Sequence, residues 1–331
     1  MAHYLNDLNY ETHYIGKWHL SGAPHKNRWI PPNKRAGFKH FIGWESHHVD
    51  HNKGLIWKDN PDNHIELKGH ETDGLTEIVC QELKEINQNK PFFMTVSYQA
   101  PHAPSSPPKK YYDLYNSSVL DDGPNTDKKA WFKNDAWSAD YDVEEFRKLY
   151  YGEITHLDAA IGNILKTLTE CGLDDNTVIF FTADHGDMAG CHNLFGKGVM
   201  YDESVRVPLM VYDSRQHAQT IEHNIDTVDI HTTILDTAGY TNDEHSEGRS
   251  FLPILKGTKV KNKDIFIEYK DDCIIRDQIK IITKKNSDKI DAIFNLKNDP
   301  YETNNLIDQF DPEVKERMLK SLKEWRKQVR S

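Results

Sequence analysis

Apolar residues recur at helical spacing in several stretches of the chain and gather into short unbroken runs between them. From about Thr72, the residues Leu75, Ile78, Val79, Leu83 and Ile86 fall on one helix face. A Lys-Pro break follows, then "PFFMTVSY" (91–98), whose length and β-branched or aromatic content predict a buried strand. It exits into "QAPHAPSSPP" (99–108), where repeated proline permits neither helix nor strand. From about Val143 a long amphipathic helix is expected through Leu149, Ile154, Leu157, Ile161, Ile164 and Leu168, stopping near Cys171 and Gly172. "NTVIFFTADHG" (176–186) and "VRVPLMVY" (205–212) read as two more buried strands, and "IDTVDIHTTILDTAGY" (225–240) as a helix closing at Gly239. Near the start, "NYETHYIGKWHL" (9–20) has the texture of a buried strand ending in a Gly-Lys-Trp-His turn.

Helices alternating with wholly apolar strands predict an α/β fold, a mostly parallel sheet covered by helices on both faces. After about Gly257 the texture changes. Short Lys-rich alternating runs, "DIFIEY", "DCIIRD", "IKIITK" and "DAIFNL", precede a charged helix from Pro312, which predicts a small antiparallel sheet with one helix beside it. The expected division is a main α/β domain over residues 1–257 and a smaller C-terminal unit over 258–331. Residues 27–70 and 103–140 lack sustained periodicity and read as long polar loops; no internal repeat is present.

At 331 residues the chain can bury a large core. The balance of 41 Lys and Arg against 52 Asp and Glu gives a net charge of −11, which argues against nucleic acid or anionic lipid as the partner. A small anion can still enter a locally positive pocket. No apolar run approaches the roughly 18 residues of a membrane span, and Met1-Ala2-His3-Tyr4 lacks the basic-then-apolar pattern of a signal peptide. Cys80, Cys171, Cys191 and Cys273 show no zinc-knuckle or redox spacing and read as buried free thiols.

In open α/β sheets, ligands sit beyond the carboxyl ends of the strands. Three predicted strands deliver polar residues there: Lys17 with His19, His102, and Asp184 with His185. Asp184-His185-Gly186 suits two ligands of a divalent cation, a hard oxygen beside an imidazole nitrogen. A helix-capping aspartate next to a packed histidine is the alternative. Lys197, between Gly196 and Gly198, fails the phosphate-loop pattern in both spacing and the residue after Lys. On such a turn it can still reach an anion as a point charge, or simply be solvated. Together these groups would make a site for a tetrahedral oxyanion, stabilising charge on its oxygens. The cluster His47, His48, Asp50 and His51 lacks the spacing of a known zinc site and reads as a polar loop near a pocket mouth, with Trp44 and Trp57 available to stack on a sugar or to pack.

"YETHYIGKWHL", "YQAPHAP", "YYGEITHLDAAIGNIL", "VIFFTADHGDMAGCHNLFGKGVMYDESVRVPLMVY" and "FNLKNDPYETNNL" resemble, in order and approximate spacing, the type I sulfatases of the alkaline phosphatase superfamily. The resemblance implies that Asp184 and His185 are one pair of ligands to an active-site cation, Ca2+ first, with Mg2+ or Mn2+ as alternatives. It also implies that Lys17 contacts the sulfate, that His19 orients the nucleophile, and that His102 and Lys197 flank the ester oxygen. The substrate implied is a small sulfate ester, such as a sulfated sugar. Related phosphodiesterases and phosphonate monoester hydrolases share the Asp-His-Gly and Gly-Lys-Gly blocks, and a noncatalytic binding protein is the reading from another class. Relatives of the family are often periplasmic or secreted.

One departure bears on mechanism. Sulfatases carry two more metal-ligand aspartates and a Cys-x-Pro-x-Arg or Ser-x-Pro-x-Arg motif whose first residue becomes the formylglycine nucleophile. None of the four cysteines has proline two residues on, and Ser105-Ser106-Pro107-Pro108-Lys109 has Lys where Arg is required. The expectation is an N-terminally truncated sulfatase homologue, inactive or impaired alone, with a separate N-terminal fragment as a candidate partner.

Overall fold

The structure of the protein, a computed structural model, describes the chain apart from residues 23–28, 47, 49, 59, 117–119, 121–122, 127–130, 135–138, 241–245 and 330–331. Helix α1 (Ala2–Asp7) leads into strand β1 (Glu11–Lys17), followed by β2 (His40–Trp44), β3 (Leu55–Trp57) and β4 (His64–Glu66). Helix α2 (Glu71–Glu85), strand β5 (Phe92–Ser97), helix α3 (Lys109–Asn116) and the hairpin β6 (Trp131–Asn134) and β7 (Ala139–Asp142) come next. Then follow α4 (Val143–Glu170), β8 (Ile179–Thr182), α5 (Asp202–Val205), β9 (Leu209–Tyr212), α6 (Thr227–Thr237) and α7 (Leu252–Leu255). The chain ends with β10 (Ile265–Glu268), β11 (Asp271–Arg276), β12 (Ile279–Lys284), β13 (Ile290–Asn295) and α8 (Pro312–Gln328).

The fold is α/β around a mixed sheet of order β4-β3-β2-β1-β5. Strand β1 runs parallel to both β2 and β5, whereas β3 and β4 are antiparallel. Alternation along β1 sends Ile15 to one face, against Ile42, Trp44, Ile56 and Leu75, Val79 and Leu83 of α2, and Tyr14 to the other, against Trp18, Ile30 and Phe41. Gly16 has φ +124°, and a Cβ there would lie 2.1 Å from the Ser97 carbonyl oxygen. Only glycine lets β1 approach β5 so closely just before Lys17.

Helix α4 begins where the Asp142 side chain accepts from Glu145 N at 2.7 Å and ends where Gly172 takes φ +66° and Leu173 N returns to Leu168 O. The C-terminal strands form an antiparallel sheet in chain order β10-β11-β12-β13. One face packs Cys273, Ile282, Ala292 and Phe294 on Met200, and the other packs Ile274, Ile281 and Ile293 on Met318 and Leu322 of α8. Among the described residues no helix is long and apolar enough to cross a membrane.

Several expectations need correction. The two stretches read as loops contain β2, β3 and β4 in one case and α3 with the β6–β7 hairpin in the other. These elements are mostly three to five residues long, too short to show a period. The strands at 91–98 and 176–186 are not fully buried: among the described residues β5 is the edge of its sheet and β8 pairs with β9 alone, antiparallel, so both remain half-buried. The strand in "VRVPLMVY" is confined to the four residues after Pro208. Of the cysteines only Cys273 is buried, and all four are free thiols. Trp44 and Trp57 pack in the core.

Candidate active site

Lys17 is the last residue of β1, and its neighbours there come from distant parts of the chain. Burial pulls its ammonium pKa below the usual lysine range, opposed by the negative charge of Asp184 and reinforced by the positive charge of Lys197. The fold therefore brings Lys17, Asp184 and Lys197 within electrostatic reach of one another.

Asp184 and His185 follow β8. The Asp184 carboxylate is 82% exposed, and its Oδ1 accepts from His185 N at 3.0 Å. His185 donates from Nδ1 to Gly186 O at 2.8 Å, which leaves Nε2 without a proton in the neutral ring. Nε2 lies 3.4 Å from Asp184 Oδ2. In the neutral ring that nitrogen presents an electron pair beside a carboxylate oxygen, and the two atoms are placed to serve as neighbouring ligands of one cation. The pair fits part of a divalent-ion site; Ca2+ ordinarily takes about 6–8 oxygens, so further ligands must come from other groups.

Lys197 is exposed on a turn in which Gly196 and Gly198 have φ +69° and +93°. Asp187 closes that turn. Its Oδ1 accepts from Ala189 N at 2.9 Å and Gly196 N at 3.1 Å, while Met188 N donates to Gly196 O at 2.8 Å. Asp187 was not picked out from sequence, although it stands two residues after His185. Tyr150 of α4 was also missed. Burial, then the charge of Asp187, pushes its phenol up to about 12, with Asp184 a smaller contributor.

His102 sits in the loop after β5, its Nδ1 donating to Ala103 O at 2.6 Å and its amide to Gln99 O at 2.9 Å. That loop is tied down at both ends. Gln99 exchanges hydrogen bonds with the backbone of His48 at 2.7 and 2.9 Å, and Ser106 N donates to Glu153 at 2.9 Å. Beneath it lies a buried network in which His48 and His51 approach the two oxygens of Glu71 at 2.5 and 3.2 Å. Of the predicted loop cluster, His48 and His51 are therefore buried supports, Asp50 pairs with Lys53 on the surface, and His47 lies outside the described residues. His19 lies two residues beyond β1, exposed, with φ +56°; no described contact joins it to the other site residues.

Asp184, His185 and Lys197 line one end of a cleft of about 2050 Å³ that continues along Leu209 and Val211 of β9. Small-molecule pockets are typically about 300–1,000 Å³. This one is a broad open cleft, lined also by the segment between β9 and α6, by α7 and by β10.

The model of the sulfatase family matches residues 1–240, and that of the N-sulphoglucosamine sulphohydrolase C-terminal region matches residues 190–328. The chain belongs to the sulfatase family. It is 30% identical over 312 residues to the arylsulfatase of Clostridium perfringens, a match covering 84% of this chain and 63% of the relative. The ulvan-active sulfatase of Formosa agariphila is 31% identical over 264 residues, covering 77% of this chain and 49% of the relative. The chain thus spans about half to two thirds of the length of these curated relatives. Its fold is that of the crystallised sulfatase YidJ of Bacteroides fragilis, with a TM-score of 0.82, 26% identity, and coverage of 98% of this chain and 76% of that one. The fold is accordingly that of alkaline phosphatase-like sulfatases, and sulfatases generally bind a divalent metal.

Proposed function

We propose that this chain carries the oxyanion-holding part of a sulfuric ester hydrolase site acting on a small sulfate ester, with a sulfated sugar as the substrate class. The carrying observation is the electrostatic coupling of Lys17, the last residue of β1, to Asp184, two residues after β8, and to Lys197 on its turn. The ulvan-active relative supports the sugar assignment. Residues 1–257 form the substrate-handling unit, and 258–331 a smaller unit packed beside it.

Asp184 and His185 would hold the divalent ion, Ca2+ first and Mg2+ or Mn2+ as alternatives, and the ion would withdraw charge from a sulfate oxygen. Lys17 holds the sulfate as a fixed positive charge from within the fold. Lys197 approaches from its glycine-flanked turn and, with His102, stands by the ester oxygen, where a departing alkoxide needs a proton or a cation beside it. His19 orients the attacking group. No Cys-x-Pro-x-Arg or Ser-x-Pro-x-Arg occurs in residues 1–331, so these residues do not themselves supply a formylglycine nucleophile.

Calorimetry with an aryl sulfate and Ca2+ tests this reading. The chain should bind the ester without hydrolysing it. Lys17→Ala and Lys197→Ala should each weaken binding roughly tenfold, the loss expected for one charged contact. Preference for a phosphonate monoester over the sulfate would overturn the substrate class. Turnover by the chain alone, abolished by Lys197→Ala, would overturn the need for an external nucleophile.

A further inference from the structure

Among the described residues, two groups of side chains away from Asp184 and His185 gather three metal-ligating atoms within 4.8 Å of one another. They differ in what their protons are doing. In the group formed by His51, His70 and Glu153, the tautomers are already committed. His70 Nδ1 accepts from Thr72 N at 3.2 Å, so its proton is on Nε2, which lies 3.5 Å from Glu153. The amide of Gln99, oriented by His48, faces His51 Nε2 at 3.3 Å, so the His51 proton is on Nδ1, turned toward Glu71. His51 Nδ1 and His70 Nε2 face Glu71 and Glu153 without completing a hydrogen bond, and each imidazole has its other nitrogen engaged, so a cation would first have to replace a proton.

The second group is different. Glu11 and His13 are alternate residues on one face of β1, and His40, opposite His13 in register, opens β2. His13 is 5% exposed, yet neither of its ring nitrogens has a hydrogen-bond partner. Leaving a buried imidazole in that state is unfavourable, and a bound ion would relieve it. Burial first, then the neighbouring His40, lowers its pKa to about 4, so at neutral pH the ring offers an electron pair. Glu82 of α2 brings a carboxylate oxygen to 3.8 Å from His13 Nδ1. The nearby lysines are already occupied, Lys90 at 3.4 Å from Glu11 and Lys58 at 3.0 Å from Glu82.

We infer that Glu11, His13 and His40, with Glu82 as a fourth donor, form a binding site for a first-row divalent cation, Zn2+ by preference. The site lies at the amino ends of β1 and β2, the opposite end of β1 from Lys17. Two imidazoles and two carboxylates suit Zn2+ better than Ca2+, which takes oxygen. The rings of His13 and His40 stack at 4.3 Å and 13°. Chelation therefore requires the exposed His40 ring to turn so that its electron pair converges on that of the fixed His13. The ion would join β1, β2 and α2, so its role is to brace the sheet.

The test uses the full chain, stripped of metal and titrated with Zn2+, in an Asp184→Ala, His185→Ala background that removes the other cation site. One Zn2+ equivalent should bind and raise the melting temperature, and Co2+ in its place should give the visible bands of a tetrahedral nitrogen-ligated ion. His40→Gln changes an exposed side chain and should leave the fold intact. It should weaken binding by roughly 100-fold or more, at least the loss seen when an outer-shell partner is removed, and should abolish the Zn2+-dependent thermal shift. Unchanged Zn2+ affinity in folded His40→Gln, or no tight equivalent in the parent protein, would overturn the assignment.

Discussion

Tyr14 shows how a single buried residue can hold the end of a strand in place. Its hydroxyl donates to the carbonyl of Lys17, and its ring stacks on Phe41 and meets Trp18 edge-on. Burial pushes its phenol up to about 12, from an ordinary value of 10.0. Because the folded pKa is the higher one, the folded state binds this proton more tightly than the unfolded chain does. The stabilisation is fully present below pH 10 and is lost as pH rises through 12, reaching roughly 3 kcal/mol at its limit. Tyr14→Phe should cost about 1 kcal/mol at pH 7 for the lost hydrogen bond, and should make the fall in stability between pH 10 and 12 shallower. Urea unfolding at pH 7, 10 and 11 measures both; parallel curves for the two proteins would refute the argument. Asp187 makes a second case, because Asp187→Ala leaves the amides of Ala189 and Gly196 without their acceptor. A stability loss of about 1–3 kcal/mol is expected, together with weaker aryl sulfate binding as Lys197 loses its fixed turn. Wild-type binding by a folded Asp187→Ala protein would show that the turn holds without it.

At the scale of elements, legibility followed how local the determining pattern is. Helices α4 and α8 and the strands β10 to β13 were readable because cap, period and turn all lie within a few neighbouring residues. Strands β2, β3 and β4 were hidden because each is defined by its partner and not by its own sequence. Lys17 and Asp184 stood out in the sequence by their positions after strands, and Lys197 by its glycine-flanked turn. The network of His48, His51 and Glu71 beneath the His102 loop did not, since Glu71 is fixed by helix α2 and Gln99 by β5. Helix α8 illustrates a contact of this nonlocal kind. Arg326, 8% exposed, bonds Asp272 of β11 at 2.8 Å, Thr283 of β12 at 2.7 Å and the Ser287 carbonyl at 3.0 Å. Arg326→Leu removes the cation beside the buried Asp272 carboxylate, which Asn286 N still meets at 3.0 Å, and should destabilise by about 3 kcal/mol. Adding Asp272→Asn should restore part of that loss. A melting temperature for Arg326→Leu equal to the parent's would mean that apolar packing alone seats the helix.

Across the whole molecule, a fully buried lysine is one of the contacts by which the C-terminal sheet reaches the candidate active site. Lys280 of β12 donates from Nζ to Met200 O at 3.0 Å and to Asp202 at 2.5 Å, and pairs with Glu302 at 2.8 Å. Glu302 in turn accepts from Asp202 N at 2.6 Å, and Asn125 joins Glu203 to the carbonyl of Tyr301. These bonds clamp the segment that begins three residues after Lys197 and continues into α5. Burial works against the charge on Lys280, but the surrounding Cys273, Asp202 and Glu302 outweigh it and hold the ammonium pKa above the usual lysine value. The lysine is therefore charged in the fold, and its removal leaves Glu302 buried without its cation. Lys280→Met fills similar volume without the charge and should cost about 3–5 kcal/mol. Its more informative effect should be on ligand binding. If the C-terminal sheet sets the Lys197 turn, Lys280→Met should weaken aryl sulfate binding at a temperature where the protein is still folded. Lys284→Met, which removes an exposed lysine on the same strand, should not. Equal binding by the two variants would mean that the Lys280 clamp braces the fold and has no part in placing Lys197.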